Sequence, residues 1–479
     1  MLRRTKIVAT LGPASSDQKV LEAMIRAGVD LVRMNFSHGT AQDHMKRADT
    51  VRAAAAAVGR TVGILADLQG PKIRVRKFQN DKIVLNKGDA FILDASLDGL
   101  GNQERVGLDY KELPNDVEVG TVLLLNDGLL EFHVTGVKGP EVHCVVVRGG
   151  VLSNNKGINR KGGGLTAPAL TDKDKEDIKT AAMIKADYLA VSFPRCADDM
   201  KLARALMHAA DGKALLLAKI ERAEAIPVLA EIIDASDAIM VARGDLSVEV
   251  GDAAVPGLQK KMIKMARERN KLAITATQMM ESMITAPIPT RAEVSDVANA
   301  VLDGTDAVML SAETAVGDYP VETIEAMARI CLSAEREAEH HSVDRRTISQ
   351  KFNRVDQSIA MSALYAASHF KVKAIVALTQ SGSTPLWMSR MSSGVPIFAL
   401  TPVQETLTKV TLFSGVHPVV FHSTAKDQSQ EMLNAEQTLV DKGWVQDGDI
   451  IVITVGEAVG KAGHTNTMKI VRVGDHRKA

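Results

Sequence analysis

The chain has 479 residues, with 58 Lys and Arg balanced by 58 Asp and Glu, so its formal charge is zero. That balance argues against a nucleic-acid coat or an anionic membrane surface as the main partner, because each calls for a basic excess. Aromatics at 3% offer no stacking platform for bases. At 46% hydrophobic and 24% charged, the chain is globular and long enough for about three domains.

Cys144, Cys196 and Cys331 are an odd number, far apart and without CxxC or Cys/His spacing. They read as buried thiols of a reducing compartment. No uncharged apolar stretch reaches the roughly 18 residues of a membrane span. The basic start, Met1 to Lys6, leads into an apolar run too short for a signal sequence. A cytoplasmic location is the expectation.

In chain order, short apolar runs ending in polar residues recur at Thr5–Leu11, Val29–Ser37, Thr61–Leu68, Tyr188–Phe193, Ala214–Glu221, Ala238–Asp245, Leu272–Gln278 and Ala307–Glu313. Eight such units suggest a closed parallel (βα)8 TIM barrel. The spacers read as crossover helices. Ser16 is a cap for a helix burying Leu21, Met24 and Ile25, and Gly28 stops it. Leu258, Met262 and Met265 form one later packing stripe, and Val294, Val297, Ala298 and Val301 another.

Between the third and fourth runs the pattern gives way to β-like alternation at Lys82–Leu85, Thr121–Leu125, Glu131–Val137 and Val142–Val147, broken by Gly and Asn-Asp turns. We read an inserted β-rich, barrel-like lid domain over 71–168. Residues 1–70 and 169–344 then form the barrel, close to the roughly 250 residues the fold uses. A third block, 345–479, resumes strand and helix alternation at Ala374–Thr379, Pro396–Leu400, His417–Phe421 and Asp449–Val455, as in a C-terminal open α/β sheet.

Barrel chemistry sits at the carboxyl ends of the strands. Arg33, Asn35 and Ser37 share one face by period two, and a guanidinium beside an amide and a hydroxyl suits a phosphate. The same parity sets Lys219 beside Glu221, an arrangement equally available to a structural salt bridge. Asp245, after the turn at Gly244, adds a second carboxylate. Two carboxylates with room for water and substrate oxygens suit Mg2+, and a metal with a lysine would neutralise an enolate or a moving phosphoryl group. Thr275, Thr277 and Gln278 supply groups able to orient a water, and Asp67 is a further anion.

The chain resembles the pyruvate kinases of bacteria over essentially its whole length. The carrying motifs are Lys6-Ile-Val-Ala-Thr-Leu-Gly-Pro-Ala-Ser15, Arg33-Met-Asn-Phe-Ser-His-Gly39, Lys219-Ile-Glu221, Val241-Ala-Arg-Gly-Asp-Leu246, Thr277-Gln-Met-Met-Glu-Ser-Met283, Pro289-Thr-Arg-Ala-Glu293, Asp296-Val-Ala-Asn-Ala-Val-Leu-Asp-Gly304 and Met309-Leu-Ser-Ala-Glu-Thr314. The resemblance implies phosphoryl transfer from phosphoenolpyruvate to ADP, giving pyruvate and ATP in the last step of glycolysis. It implies Mg2+ on Glu221 and Asp245, and Lys219 bridging the moving phosphoryl group. Arg33 would grip the phosphate, while the Gly244 and Asp245 amides and the Thr277 hydroxyl meet the carboxylate and enol. Nucleotide contacts would come from Asn35, Ser37, His38, Arg74 and, on the lid, Lys156. A homotetramer is also implied.

One departure changes the expectation. Many members hold K+ with groups matching Asn35, Ser37, Asp67 and a following Thr. Here that Thr is Leu68, and a Glu that accompanies K+ dependence is Lys72. The Lys72 ammonium would supply the missing charge, so K+ should not be required. In the third domain Thr379, Ser381, Gly382, Ser383 and Thr384 form a hydroxyl-rich turn at a helix start, a ready anion nest. The family's matching loop takes the phosphate of an allosteric effector. Glu457 in the second effector loop would oppose a second phosphate, favouring a sugar monophosphate or AMP. The alternatives are a Mg2+-dependent lyase or aldolase on the same barrel, and a phosphometabolite sensor without activity.

Overall fold

The computed structural model of the chain describes residues 2–71, 73–339, 352–391, 393–423, 425, 427–456 and 464–477. Eight parallel strands close a barrel: Lys6–Thr10, Leu31–Asn35, Gly63–Asp67, Tyr188–Val191, Leu215–Ile220, Ala238–Ala242, Leu272–Ala276 and Ala307–Leu310. Closure is made by the first strand, which pairs Val8 with Leu31 on one side and Lys6 with Ala307 on the other. Each strand lies inside one of the eight expected runs but is shorter, because the polar end of each run has left the sheet. Ser37 is in a turn, Asp245 is on the helix Arg243–Val250, and Glu313 is on the short helix Ala312–Ala315.

Strand parity decides what the barrel can present. Ile7 and Ala9, Val32 and Met34, and Leu216, Ala218 and Ile220 join the layer between strands and outer helices. Val8, Leu31 and Leu217 join the inner cluster. Arg33, Asn35 and Lys219 take the inward parity. Thr275 takes the outward one: it is fully buried, and its hydroxyl bonds that of Thr305 at 3.1 Å, so it is not available to a water at the mouth.

The outer helices follow their apolar stripes, with two corrections. The helix Gln18–Ala27 buries Leu21, Met24 and Ile25 and ends at Gly28 as expected. Its cap is Asp17, which accepts from the Lys19 and Val20 amides, while Ser16 donates to the Gly12 carbonyl at 2.7 Å. In Arg291–Leu302, Val297, Ala300 and Val301 are buried, but Val294, in the first turn of the same stripe, is exposed.

The insertion holds a six-stranded sheet and a two-stranded one around its own core, which includes Phe91, Phe132, Leu123 and Val146. Strands Lys82–Leu85, Val122–Leu125, Leu130–Lys138 and Glu141–Arg148 match the expected alternation. Ala90–Asp94, Arg105–Gly107, Gly150–Ser153 and Ile158–Arg160 are additional. At its root one buried carboxylate, Asp174, accepts from the Gly70 amide at 3.1 Å and from the Thr171 amide at 2.9 Å, tying the outgoing chain to the returning one.

The C-terminal sheet contains Val372–Leu378, Ile397–Thr401, Val416–Val420 and Ile450–Gly456, all parallel, and an antiparallel edge strand, Thr465–Arg472. This domain seals the amino ends of the barrel strands: Leu412, Phe413 and Val416 share a cluster with Val8, Leu31 and Leu65. Gly63 permits the approach, since a Cβ there would lie 2.8 Å from the Thr411 hydroxyl and 2.4 Å from Leu31 Cδ1. The floor is closed, and the carboxyl ends remain as the working face. Among the described residues, no helix is long and apolar enough to cross a membrane. Cys144 and Cys331 are buried and Cys196 half-buried, all as free thiols.

Candidate active site

Four charged side chains meet at the carboxyl ends of strands two, three and five. Arg33 Nε donates to Asp67 Oδ2 at 2.6 Å and its Nη1 to the Thr10 hydroxyl at 3.2 Å. Lys219 Nζ lies 2.8 Å from Glu221 Oε1 and 3.5 Å from Asp67 Oδ1, and donates to the Ser192 hydroxyl at 2.9 Å. Asp67 and Glu221 are both 1% exposed, so these interactions act in a low dielectric. Phe193, held at φ 56°, aims its amide at Glu221 Oε2 from 2.9 Å.

Asp245 comes from another element, the helix after strand six, yet it lies near enough to Glu221 for each to shift the other's pKa. Burial pushes the Glu221 carboxyl up to about 7; Lys219 opposes this and Asp245 adds to it. Burial also raises Asp245, against Lys219 and with help from Asp127 on the lid. For Asp67 the cost of burial is overcome by Lys219 and Arg33, and its carboxyl is held low. For Lys219 burial likewise opposes charge, but Asp67 and Glu221 outweigh it and raise the ammonium pKa. The site therefore has a permanently charged lysine and two buried carboxylates, of which Asp245 disfavours charge on Glu221 while Glu221 favours charge on Asp245.

That donor set fits a small hard dication. Glu221 and Asp245 offer two hard oxygen donors whose carboxyls burial pushes up, a cost that a divalent ion would relieve while keeping sites for water and substrate oxygens. Among the described residues no group of three or more His, Cys, Asp or Glu side chains is gathered for a metal, so protein ligands alone would leave the ion open. Asp67 Oδ1 is buried without a hydrogen bond.

The opposite wall is built by Arg243 and Thr277. Thr277 and Gln278 follow strand seven at φ 68° and 54°, an uncommon pair of left-handed residues, and for a β-branched threonine a strained one. Arg243 holds this backbone: its guanidinium donates to the carbonyls of Thr277 at 2.7 Å and Ala276 at 3.3 Å, and pairs with Asp296 at 2.7 Å. The strain turns the Thr277 hydroxyl inward, where it accepts from the Gly244 amide at 2.8 Å and donates to the Ala276 carbonyl at 2.6 Å. Glu313 secures the next segment, accepting from the Met280 and Ser311 amides.

The expected nucleotide residues are spread around this rim. Asn35 Oδ1 accepts from the Ser37 amide at 3.0 Å, and His38 is exposed beside them. Arg74 and Lys156 lie on adjacent segments at the lid's base: Arg74 forms an isolated bridge with Gly157, and the Lys156 carbonyl accepts from the Val75 amide. Lys72 and Glu457 lie outside the described residues. In the C-terminal domain the Thr379 hydroxyl accepts from the Gly382 amide at 2.9 Å, and the hydroxyls of Ser381 and Ser383 are 2.9 Å apart. Thr384 is buried and bonds Thr465 on the edge strand, so it faces away from any ligand at the turn. Sequence reasoning missed Ser192, Arg243, Asp296 and Glu313. Ser192 was legible in principle, two residues beyond the inward Ala190; the others act by long reach across elements.

Comparison with known proteins agrees with the motifs. A family model described as pyruvate kinase, barrel domain, matches residues 2–324, and one described as pyruvate kinase, alpha/beta domain, matches 357–471. The chain is 55% identical over 477 residues to pyruvate kinase II of Salmonella typhimurium, covering 98% of this chain and 99% of that one. It is 55% identical over 460 residues to a pyruvate kinase of Haemophilus influenzae, covering 95% and 96%. To a pyruvate kinase of Buchnera aphidicola from Acyrthosiphon pisum it is 53% identical over 478 residues, covering 98% and 99%.

Proposed function

The chain belongs to the pyruvate kinase family, transferring a phosphoryl group from phosphoenolpyruvate to ADP, and we propose how its residues divide that work. The observation that carries the proposal is the Lys219–Glu221–Asp67 cluster with Asp245 beside it. Glu221 and Asp245 hold the Mg2+ that the family requires, and the ion supplies charge neutralisation on the substrate oxygens. Arg33 grips the phosphate. Lys219, kept charged by its carboxylates, meets the phosphoryl group and the enolate oxygen left when the P–O bond to the enol breaks. The amides of Gly244 and Asp245 take the substrate carboxylate.

Because the Gly244 amide is already bonded to Thr277 Oγ1, substrate binding exchanges that acceptor for a carboxylate oxygen. The hydroxyl is then released to orient the water that protonates the enolate carbon. Asn35, Ser37, His38, Arg74 and Lys156 meet the nucleotide, and closure of the lid excludes water that would otherwise take the phosphoryl group. The domains run as 1–70 with 169–344, 71–168, and 345–479; their last boundary is outside the described residues.

No K+ is needed. Leu68, 2% exposed, has no side-chain oxygen and its carbonyl accepts from the Ser192 hydroxyl; Asn35 Oδ1 is engaged by Ser37 and Asp67 Oδ2 by Arg33. Lys72 supplies the charge instead. The turn at Thr379, Ser381, Gly382 and Ser383 takes the phosphate of a sugar monophosphate or AMP. Exposed Val294 and Leu302 on one barrel helix, and Tyr365 and Phe370 in the C-terminal domain, support a homotetramer. The composition supports a cytoplasmic enzyme. A coupled assay with phosphoenolpyruvate, ADP and Mg2+, with tetramethylammonium replacing K+, tests the centre of this reading. Absence of ADP-dependent pyruvate refutes the site assignment; collapse of the rate without K+ refutes the lysine substitution; activation only by a bisphosphate refutes the effector class.

A further inference from the structure

The chain that returns from the lid to the barrel passes through a run of glycines. Three successive glycines, Gly162 to Gly164, have φ of 81°, 81° and 98° where the chain comes back to the barrel. The segment directly behind the active-site residues of strand five grips this hinge. Arg222, 2% exposed, donates to the Leu165 and Ala167 carbonyls, and Glu224 accepts from the Gly164 amide. A Cβ on Gly163 would stand 2.5 Å from Glu224 Oε2, so no other residue fits there without displacing it.

One side chain joins the hinge to both carboxylates of the site. Glu249 is 5% exposed near the end of helix Arg243–Val250. Its Oε2 accepts from the Ala223 amide at 2.8 Å, two residues after Glu221, and its Oε1 lies 3.4 Å from Asn159 Nδ2 on the lid's last strand. Its backbone carbonyl accepts from the Gly162 amide at 3.0 Å. Asp245 is four residues earlier on the same helix, hence one turn away on the same face. The lid touches this helix again beside Glu249, where a Cβ on Gly128 would lie 3.7 Å from Val248 Cγ1.

We propose that Glu249 is a positioning residue that couples lid closure to the placement of Asp245 and Glu221. It touches no substrate. Its buried carboxylate accepts from the strand-five segment and from the lid at once, so the lid cannot settle without registering the helix that carries Asp245 against the segment that carries Glu221. The long Asn159 contact is the one that shortens on closure. This rests on the reading that Arg74 and Lys156 bring the nucleotide to the lid.

The full-length enzyme is assayed with phosphoenolpyruvate, ADP and Mg2+, with phosphoenolpyruvate binding measured separately by calorimetry. Glu249→Ala should lower kcat roughly ten- to a hundredfold and raise KM for ADP, with the dissociation constant of phosphoenolpyruvate within about threefold of the parent. Asn159→Ala, which removes only the lid half and does not risk the fold, should show the same split with smaller amplitude. Glu249→Gln keeps an acceptor for Ala223, and Asn159 can flip to match it, so it should restore most of kcat. Wild-type kcat and KM for ADP in Asn159→Ala overturn the proposal, as does a Glu249→Ala enzyme whose only defect is a smaller folded fraction. Lys156→Ala separates the premise: an unchanged KM for ADP there sinks the nucleotide reading, whatever the two hinge variants do.

Discussion

The two ends of the barrel both bury charge, and they treat it oppositely. At the amino end the carboxylates are saturated. Asp306, fully buried, takes both arms of Arg390 from the C-terminal domain and the Ala273 amide. Asp30 accepts from Arg3, Arg60 and the Ile7 amide, and Glu335 from the Arg4 and Thr5 amides. At the carboxyl end Asp67 retains an oxygen without a hydrogen bond, and burial pushes up the carboxyls of both Glu221 and Asp245. On the proposed assignment of the site, the difference separates charge that fixes domain contacts from charge held ready for a ligand, as barrel anatomy leads one to expect.

The largest test of this contrast is Asp306→Ala. It strands the Arg390 guanidinium at the domain interface and should cost about 3–5 kcal/mol of stability by urea denaturation. If the loss is under about 1 kcal/mol, the amino-end pair is not structural in the sense argued. Next comes Lys219→Met, which removes a cation from the working face. It should reduce kcat on the order of 10²–10³ and also lower Tm, because Asp67 and Glu221 lose a buried partner. A kcat near the parent value refutes the electrostatic role.

A smaller effect is set by pH at the amino end. His417, whose Nε2 is sealed without a partner, has its pKa pushed down to about 3, first by burial and then by the charge of Lys6. Arg3 and Arg60 push the same way, and Asp30 opposes them. Since the folded value lies below the ordinary one, only the unfolded chain takes up this proton between about pH 6.5 and 3, so stability falls as pH drops through that window. From pH 7 to 5 the share of His417 is about 2 kcal/mol or less, and His417→Gln should flatten the dependence of the urea midpoint. An unchanged slope would show that His44, whose pKa burial lowers to about 4, or other groups carry it.

Much of this contrast was written in strand parity. Arg33 with Asn35, and Lys219 with Glu221, could be assigned to one face because alternation along a strand leaves no other choice. Asp245 could be found but not set on its element: Ala238 to Asp245 reads as one run, and only in three dimensions does a helix begin at Arg243. The left-handed backbone of Thr277 had no local signal, since a β-branched residue is a poor candidate for it and the stabilising guanidinium comes from 34 residues away. Arg105–Gly107 and Ile158–Arg160 are three residues each, too short to show a period. The edge strand Thr465–Arg472 mixes exposed and half-buried positions and offers no apolar alternation. Ser16 and Asp17 are equally good caps by composition, and geometry chose the aspartate.

The carboxylate of Asp174, which fastens the outgoing and returning chains of the insertion side by side, has an evolutionary consequence. A whole compartment more than ninety residues long can be grafted into, lengthened within or deleted from one crossover of the ring while the host circle keeps its own closure. The accessory module is thereby free to diverge at a pace of its own, and swapping it between relatives by recombination would require keeping this anchoring acid together with the hinge contacts of Arg222, Glu224 and Glu249.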